Sequence, residues 1–291
     1  MMMRSFRWIV VLGALLIILA MLYKNKDNEG TIDRSRSTAK SNELFAFKNS
    51  LTCVQTPYDF RNADQEDPAL IEYIRSQLLV PPSVHKYSIE NPDKLHFSQH
   101  SQSEIAKEFL GGMKDGFFVE VGAADGEWLS NTLFFERELG WRGLLIEATP
   151  KFFESLQKKN RKAYTINVAL SVTTYATELT FQTEPRPSRS ITKGNGTVVK
   201  GIPFYSIFRA LNVEVVDFLS MDIESFEYKV LNTIPWDKIR FRLMCIEVNH
   251  IPEGKAFLTK FLQEKGYKFL GYKWLDAWFA HPSLLNIDEK S

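Results

Sequence analysis

The run FVEVGAADG at positions 118–126 has the residue types of a ligand-binding turn, because an apolar strand leads into small and acidic residues. Glycine at position 122 allows the backbone to approach a ligand and to adopt φ and ψ values that a side chain disfavours. Glu147 lies about 20 residues beyond Gly126, at the end of a second apolar run. A carboxylate at that place in an open α/β sheet binds the two hydroxyls of a ribose. The spacing therefore predicts a nucleoside site.

The turn lacks the sequence motifs that bind a pyrophosphate, since G-x-x-D-G replaces G-x-G-x-x-G and the sequence contains no P-loop. An acidic side chain at Glu120 suits the cationic methionine moiety of S-adenosylmethionine better than it suits a phosphate. The alternative interpretation is a Gly/Asp turn without a ligand. We predict that S-adenosylmethionine is held by Glu120, Gly122, Ala123, Asp125, Gly126, Asn131, Glu147 and Asn167.

A second acidic run, SMDIESFE at positions 220–227, follows another apolar run of strand length. Alternate residues of an extended chain face the same side, so Asp222 and Glu224 are predicted to point into one cleft. We assign both as candidate catalytic residues, acting as a base or as a cation site beside a transferred methyl group. The alternative is a solvated acidic turn in which these residues, with Glu227, cap the next helix.

Histidines and their polar neighbours supply two further candidate groups. Glu247, Asn249 and His250 follow a fifth apolar run and are predicted at the same edge, with His250 as a candidate general base. His96 and His100 lie four residues apart, but no third ligand accompanies them. No metal site is therefore predicted at these histidines.

Apolar runs of strand length alternate with helical periodicity from residue 104 onward, the pattern of a mostly parallel, doubly wound α/β sheet. We predict a Rossmann-like fold with right-handed crossovers, in which the carboxyl ends of the strands bring both acidic runs to one edge. The predicted strands are 117–121, 143–147, 163–168, 215–221 and 243–248, with an edge piece at 179–182 and closing strands near 268–272 and 278–280. The predicted helices are 105–110, 131–139, 151–159, 227–233 and 254–265, after an earlier helix that Asp67 caps and Pro68 opens.

Length and composition fit one medium α/β domain with appendages, or two small domains, since 44% of the 291 residues are hydrophobic. A net charge of +1 gives no global field that would attract nucleic acid, and no such partner is predicted. Cys53 and Cys245 could form one disulfide in an oxidising lumen, but Cys245 lies in an apolar run typical of a buried thiol. Two groups of basic residues are interpreted as solvated surface: Lys158, Lys159, Arg161 and Lys162, and Arg186, Arg189 and Lys193.

Residues 8–23, WIVVLGALLIILAMLY, carry no charge and are predicted to form a transmembrane signal-anchor after a short tail at 1–7. A cleaved signal peptide is the alternative. We predict a stalk or linker at 24–65, a helical lead-in and connector at 66–103, and the α/β domain at 104–291. The short tail favours a type II orientation with a lumenal domain, which agrees with a glycosylation sequon at Asn195. The alternative is a cytoplasmic domain, which the charge count favours because Lys24, Lys26, Arg34, Arg36 and Lys40 follow the span.

Taken in order, EVGAADG, LLIEATP and MDIESFE resemble the FkbM family of methyltransferases, over about residues 95–275. The resemblance implies a methyltransferase fold that uses S-adenosylmethionine. Within the family, the runs SNTLFFERELGWRGLLIEATP and DFLSMDIESFEYKVLNTIPW are most similar to animal type II membrane proteins of the secretory pathway. That similarity implies an escort that moves membrane-bound growth-factor precursors from the endoplasmic reticulum to the Golgi, with endosome and plasma membrane as further locations.

One position departs from the family pattern. The family's D-x-E-G-x-E has glycine where this chain has Ser225. If the backbone there needs a positive φ, serine costs stability or displaces the acidic side chains. Two functions therefore stay open from the sequence: a lumenal escort that keeps the fold, and an active O-methyltransferase.

Overall fold

The computed structural model describes residues 58–181 and 197–285. Several predictions concern other positions: the signal-anchor at 8–23, most of the stalk, Cys53, the sequon at Asn195 and the second basic group all lie outside the described residues. Within the described ranges, no helix combines the length and apolar character needed to span a membrane.

Strands and helices alternate along the described chain much as predicted. The strands are β1 (Leu79–Val80), β2 (Phe117–Val121), β3 (Arg142–Ile146), β4 (Tyr164–Ile166), β5 (Ala169–Leu170), β6 (Thr177–Phe181), β7 (Thr197–Ile202), β8 (Val215–Met221), β9 (Arg240–Glu247), β10 (Lys268–Lys273) and β11 (Asp276–Ala280). The helices are α1 (Pro68–Tyr73), α2 (Gln102–Phe109), α3 (Leu133–Leu139), α4 (Pro150–Lys158), α5 (Phe204–Leu211), α6 (Glu227–Leu231), α7 (Lys255–Glu264) and α8 (Pro282–Leu285). A π-helical turn, Ile74–Leu78, continues α1.

The main sheet has the strand order β1-β4-β3-β2-β8-β9-β11-β10. Its centre, from β4 to β9, is parallel, whereas β1, β11 and β10 join by antiparallel pairing, so the sheet is mixed. The chain winds outward from β2 to β4 and then returns to place β8 on the other side of β2. This reversal makes a topological switch point between β2 and β8, where doubly wound sheets bind ligands.

Local sequence signals explain several element boundaries. Asp67 caps α1, because its carboxylate accepts a hydrogen bond from the backbone N–H of Ala69 at 2.8 Å, and Pro68 is the first helical residue, as predicted. Gly140 ends α3 in the left-handed conformation. The predicted start of that helix at Asn131 is wrong by two residues, because Asn131 lies in the loop that leads to α3.

A second sheet, with the order β5-β7-β6, was not predicted. The predicted strand 163–168 is shorter in the structure, and the chain after it turns into β5 of this sheet. Strand β7 follows a Ser/Gly/Lys-rich stretch that favours a loop. Helix α5 was not predicted either, because it has only eight residues and follows Pro203 without a side-chain cap that would mark its start.

Aromatic side chains build the core between the sheet and its helices. Phe218 of β8 stacks on Trp278 of β11 with ring centroids 6.2 Å apart, and Phe135 of α3 packs against Trp141 at 4.8 Å. All four side chains are almost completely buried. Cys245 lies in the same core as a buried free thiol, which confirms that prediction.

The first segment of the described chain packs on the domain. Strand β1 pairs with the outer side of β4, matching Leu79 with Ile166 and Val80 with Thr165. At the opposite margin of the sheet, the pairing of β10 with β11 shifts register between Phe269 and Gly271, as a β-bulge does. Contacts group Asp59–Ser291 into one unit.

Candidate functional site

Two neighbouring clefts open beyond the carboxyl ends of β2, β3, β8 and β9. The first, called the apolar cleft, is lined by Ile146, Val168, Ile223 and Phe226 and has Glu147 at its wall. The second, called the acidic cleft, is lined by polar groups and by the carboxylates of Glu120, Asp222, Glu224, Glu247 and Asp276. Val121, Gly122 and Asp222 line both clefts. A ligand that occupied both would therefore cross the turn after β2.

Gly122 occupies a position that no other residue can fill without movement. Its φ is +86°, and a Cβ atom there would lie 2.1 Å from the carbonyl oxygen of Asp222. The backbone N–H groups of Gly122 and Asp222 donate to the carbonyl oxygens of Ile146 and Val121 at 3.0 and 3.1 Å. These hydrogen bonds hold the turn after β2 against the ends of β3 and β8.

Glu147, predicted to bind a ribose, is held rigidly at the end of β3. Its carboxylate accepts hydrogen bonds from the backbone N–H of Ala124 at 2.8 Å and of Thr149 at 2.7 Å. The Asn167 side-chain amide donates to the carbonyl oxygens of Glu147 and Ala148 at 2.7 and 3.2 Å. Asn167 therefore positions the Glu147 backbone, while Glu147 itself lines the apolar cleft.

The carboxylate of Glu120 accepts hydrogen bonds from the loop 130–132. It accepts from the backbone N–H of Asn131 at 2.6 Å, from Ser130 Oγ at 2.9 Å and from Thr132 Oγ1 at 2.5 Å. Burial raises the pKa of Glu120, and the charge of Arg161 opposes that shift. These contacts order the loop 130–132, and because Glu120 also lines the acidic cleft, its contact with a methionine moiety stays a prediction.

The remaining predicted cofactor residues divide between the cleft and its support. Ala123 and Asn131 line the acidic cleft, where Asn131 Nδ2 donates to Ser220 Oγ at 2.9 Å. Asp125 does not line either cleft, because its carboxylate accepts from the backbone N–H of Glu127 and Trp128. Gly126 also lies behind the turn, where a Cβ atom would overlap Leu156 Cδ1 at 2.2 Å.

The basic run around Lys159 and Arg161 was interpreted as a solvated face. This interpretation is wrong for these two residues, because both are buried. Arg161 forms an ion pair with Glu136 at 3.0 Å, and both side chains are completely buried. The same guanidinium donates to the carbonyl oxygen of Gly126. Lys159 is paired with Glu127 at 2.8 Å and with Glu90 at 2.7 Å. The basic run thus holds the turn after β2 from below.

The acidic run after β8 places its carboxylates at different depths. Asp222 is exposed and lines both clefts, and Glu224 lines the acidic cleft, so these two predicted catalytic residues do share one opening. Glu227 is buried at the start of α6, and its Oε1 accepts from the backbone N–H of Ile223 at 2.8 Å. His250 lines neither cleft.

Glu227 and Glu247 both have strongly perturbed acidity. Burial raises the pKa of Glu227 to about 7, and the negative charges of Glu247 and Asp222 add to the shift. Burial likewise raises the pKa of Glu247 to about 7, with the charge of Asp222 in the same direction. Perturbed carboxyl groups that gather in a cleft are typical of functional sites.

Two residues of the acidic cleft, Gln102 and Asp276, were not predicted from the sequence. Asp276, at the start of β11, accepts a hydrogen bond from the Gln102 side chain of α2 at 2.9 Å. Burial raises the pKa of Asp276 to about 6. These residues are 174 positions apart in the chain, and no local pattern in the sequence marks either one.

Ser225 has a φ of +88° and Glu224 a φ of +55°, so the position where the resembled family has glycine does require a positive φ. Left-handed backbone costs a non-glycine residue about 1–2 kcal/mol. We therefore expect Ser225→Gly to raise the free energy of unfolding by about 1 kcal/mol, measured by urea denaturation. Ser225→Ala is the control, since it removes the hydroxyl but keeps the strain. A glycine variant no more stable than the alanine variant would contradict the strain.

The sequence profile of the methyltransferase FkbM domain matches residues 120–269, just over half of the chain. The match contains the turn after β2, Glu147 and the acidic run after β8. No curated protein matches the chain.

Solved methyltransferase structures resemble the chain at low identity. The methyltransferase domain of METTL16 is 12% identical, with a TM-score of 0.37, over 61% of this chain and 64% of that one. A TehB-like S-adenosylmethionine-dependent methyltransferase from Corynebacterium glutamicum is 8% identical, with a TM-score of 0.37, over 63% and 89%. Aeropyrum pernix fibrillarin with natively bound S-adenosylmethionine is 14% identical, with a TM-score of 0.34, over 60% and 72%.

Proposed function

The chain belongs to the methyltransferase FkbM domain family, and from that premise we propose that it binds S-adenosylmethionine and methylates an acceptor hydroxyl. The observation that carries the proposal is the fixed carboxylate of Glu147 beside an apolar cleft at the switch point of the sheet. Its chemistry suits a nucleoside, because a carboxylate binds ribose hydroxyls and apolar walls accept a base. When bound, S-adenosylmethionine supplies a methyl group on a sulfonium centre.

The cofactor would be held by residues on three strand ends. Glu147 would bind the ribose, Val168 and Phe226 would contact the base, and Gly122 would let the backbone approach the ligand. Both Glu147 oxygens accept backbone hydrogen bonds, which fix the orientation of the carboxylate towards a ligand.

The acidic cleft would receive the methyl acceptor. Its wall of carboxylates disfavours an anionic acceptor, so we propose a neutral or cationic molecule with a free hydroxyl. Asp222 lines both clefts and is therefore placed to take a proton from that hydroxyl, with Glu224 as the second candidate.

Titration of S-adenosylmethionine into the purified full chain by calorimetry tests this function. We expect saturable binding, and Glu147→Ala should weaken it at least about 10-fold, because hydrogen bonds to a charged group contribute about 1.5–3 kcal/mol. The control is Glu154→Ala, which removes an exposed carboxylate from α4. Equal affinity in the Glu147 variant would place the nucleoside elsewhere, and a folded chain that does not bind would refute the proposed cofactor.

We propose further that residues 8–23 anchor the chain in endoplasmic reticulum and Golgi membranes with the domain in the lumen. The charge-free run and the sequon at Asn195, which would carry an N-glycan, support this location. Endosomes and the plasma membrane would be further locations of the chain.

A lumenal escort of membrane-bound growth-factor precursors is the second candidate function. It rests on the resemblance that we propose between two runs of the sequence and the animal protein Star, and on Ser225, which strains the turn that bears the acidic residues. The same titration separates the two functions. A folded chain that does not bind S-adenosylmethionine would favour the escort function, whereas tight binding that depends on Glu147 would favour the enzyme.

A further inference from the structure

Three carboxylates converge between the ends of β8 and β9, and only Asp222 among them is a candidate for a cation site from the sequence. Asp222 follows β8, Glu227 is the first residue of α6, and Glu247 ends β9. One carboxylate oxygen from each of the three lies within 4.8 Å of those of the other two. The fold brings them together, since Glu247 is 20 or more residues away from the others in the chain.

Two of these carboxylates are buried with one oxygen unused. Glu227 is 0% exposed and Glu247 is 6% exposed. In each, Oε1 accepts a backbone N–H, from Ile223 at 2.8 Å and from Asn249 at 2.7 Å. Oε2 of each is buried and has no hydrogen-bond partner anywhere in residues 58–181 and 197–285. A buried carboxylate oxygen without a partner is costly, so these two atoms indicate a ligand.

We propose that Asp222, Glu227 and Glu247 form a binding site for one divalent cation of the kind that prefers oxygen ligands, such as Ca²⁺, Mn²⁺ or Mg²⁺. Such ions bind oxygens at about 2.0–2.6 Å, so two ligand oxygens on one ion lie at most about 5 Å apart. The spacing of at most 4.8 Å meets that limit. The donor set is made only of carboxylates, which suits these ions better than Zn²⁺, whose usual partners are thiolates and imidazoles.

The proposed cation site borders both clefts. Asp222 lines both, and Glu247 lines the acidic cleft, so the site opens towards any ligand held there. The buried oxygens of Glu227 and Glu247 would hold the ion from below. Coordination positions beyond the three carboxylates would face the acidic cleft, where water or a ligand oxygen can fill them.

Metal binding can be tested without S-adenosylmethionine, so that this site and the proposed methyl transfer can fail separately. The full chain, stripped with a chelator, is titrated with MnCl₂ and followed by electron paramagnetic resonance of free Mn²⁺, and its melting temperature is recorded with and without CaCl₂. We expect one bound Mn²⁺ per chain and a higher melting temperature in CaCl₂, because a cation that binds only the folded chain stabilises it.

Glu227→Gln and Glu247→Gln keep the shape of each side chain and remove its charge. Each should weaken Mn²⁺ binding at least about 10-fold and abolish the CaCl₂ effect. Asp276→Asn is the matched control, because Asp276 is a buried carboxylate of the same cleft outside the cluster, and its variant should retain binding. A folded chain that binds neither ion would overturn the site. The site would also be overturned if both Gln variants bound Mn²⁺ as tightly as the unchanged chain does.

Discussion

Replacement of Gly122 by alanine is expected to lower the free energy of unfolding by about 3 kcal/mol or more and to abolish binding of S-adenosylmethionine. The new Cβ would meet the backbone carbonyl oxygen of Asp222 at 2.1 Å, and backbone atoms of two strand ends cannot move apart cheaply. A φ of +86° adds conformational strain. Urea denaturation of the full chain measures the first effect, and calorimetric titration measures the second.

Gly112→Ala separates the two causes. Gly112 has a φ of +70°, but a Cβ atom there would meet nothing within 4 Å. Its replacement should therefore cost only the conformational part, about 1 kcal/mol, and leave cofactor binding unchanged. If the two alanine variants lose the same stability, the close approach of the turn after β2 to the end of β8 is not what requires glycine at position 122.

Replacement of Arg161 by methionine is expected to cost about 3–5 kcal/mol of stability, the usual effect of leaving one partner of a buried ion pair uncompensated. The variant would leave Glu136 as a charged group in a completely buried place. It would also remove a donor from the carbonyl oxygen of Gly126 and so loosen the turn after β2. Thermal and urea unfolding measure the loss.

The double variant Arg161→Met with Glu136→Met tests the cause. Because it removes both charges, it should recover much of the lost stability, although the hydrogen bond to Gly126 stays absent. The exposed pair Lys260–Glu264 provides the comparison, since Lys260→Met should change stability by less than about 1 kcal/mol. A double variant as unstable as the single one would show that Arg161 acts through its hydrogen bonds to the loop.

The parts of the fold that the sequence predicted correctly are those with a strong local signal. The strands 117–121 and 215–221 were predicted to the residue, because short, continuous apolar runs mark strands buried on both faces. Asp67 and Pro68 predicted the start of a helix for equally local reasons. The missed helix α5 shows the converse, since it has only eight residues and no capping side chain marks its start.

The candidate site was predictable where its residues directly follow clearly marked strands, as Gly122, Glu147 and Asp222 do. Gly122 and Glu147 belong to the same unit, so their spacing alone placed them together. The partners of Glu120 and the burial of Arg161 depend on packing that a charge count cannot reveal. The same holds for Glu227 and Glu247, whose meeting requires the parallel pairing of β8 with β9.

Both margins of the main sheet are poor templates for another chain. An exposed edge strand presents unpaired N–H and C=O groups that invite aggregation by strand addition, and proteins oppose this with short, bulged or lysine-bearing edges. Here one edge is the two-residue strand β1, while the other, β10, carries a bulge and begins and ends with Lys268 and Lys273. An escorted or modified partner would therefore be engaged through side chains at the cleft mouth instead of by extension of the sheet.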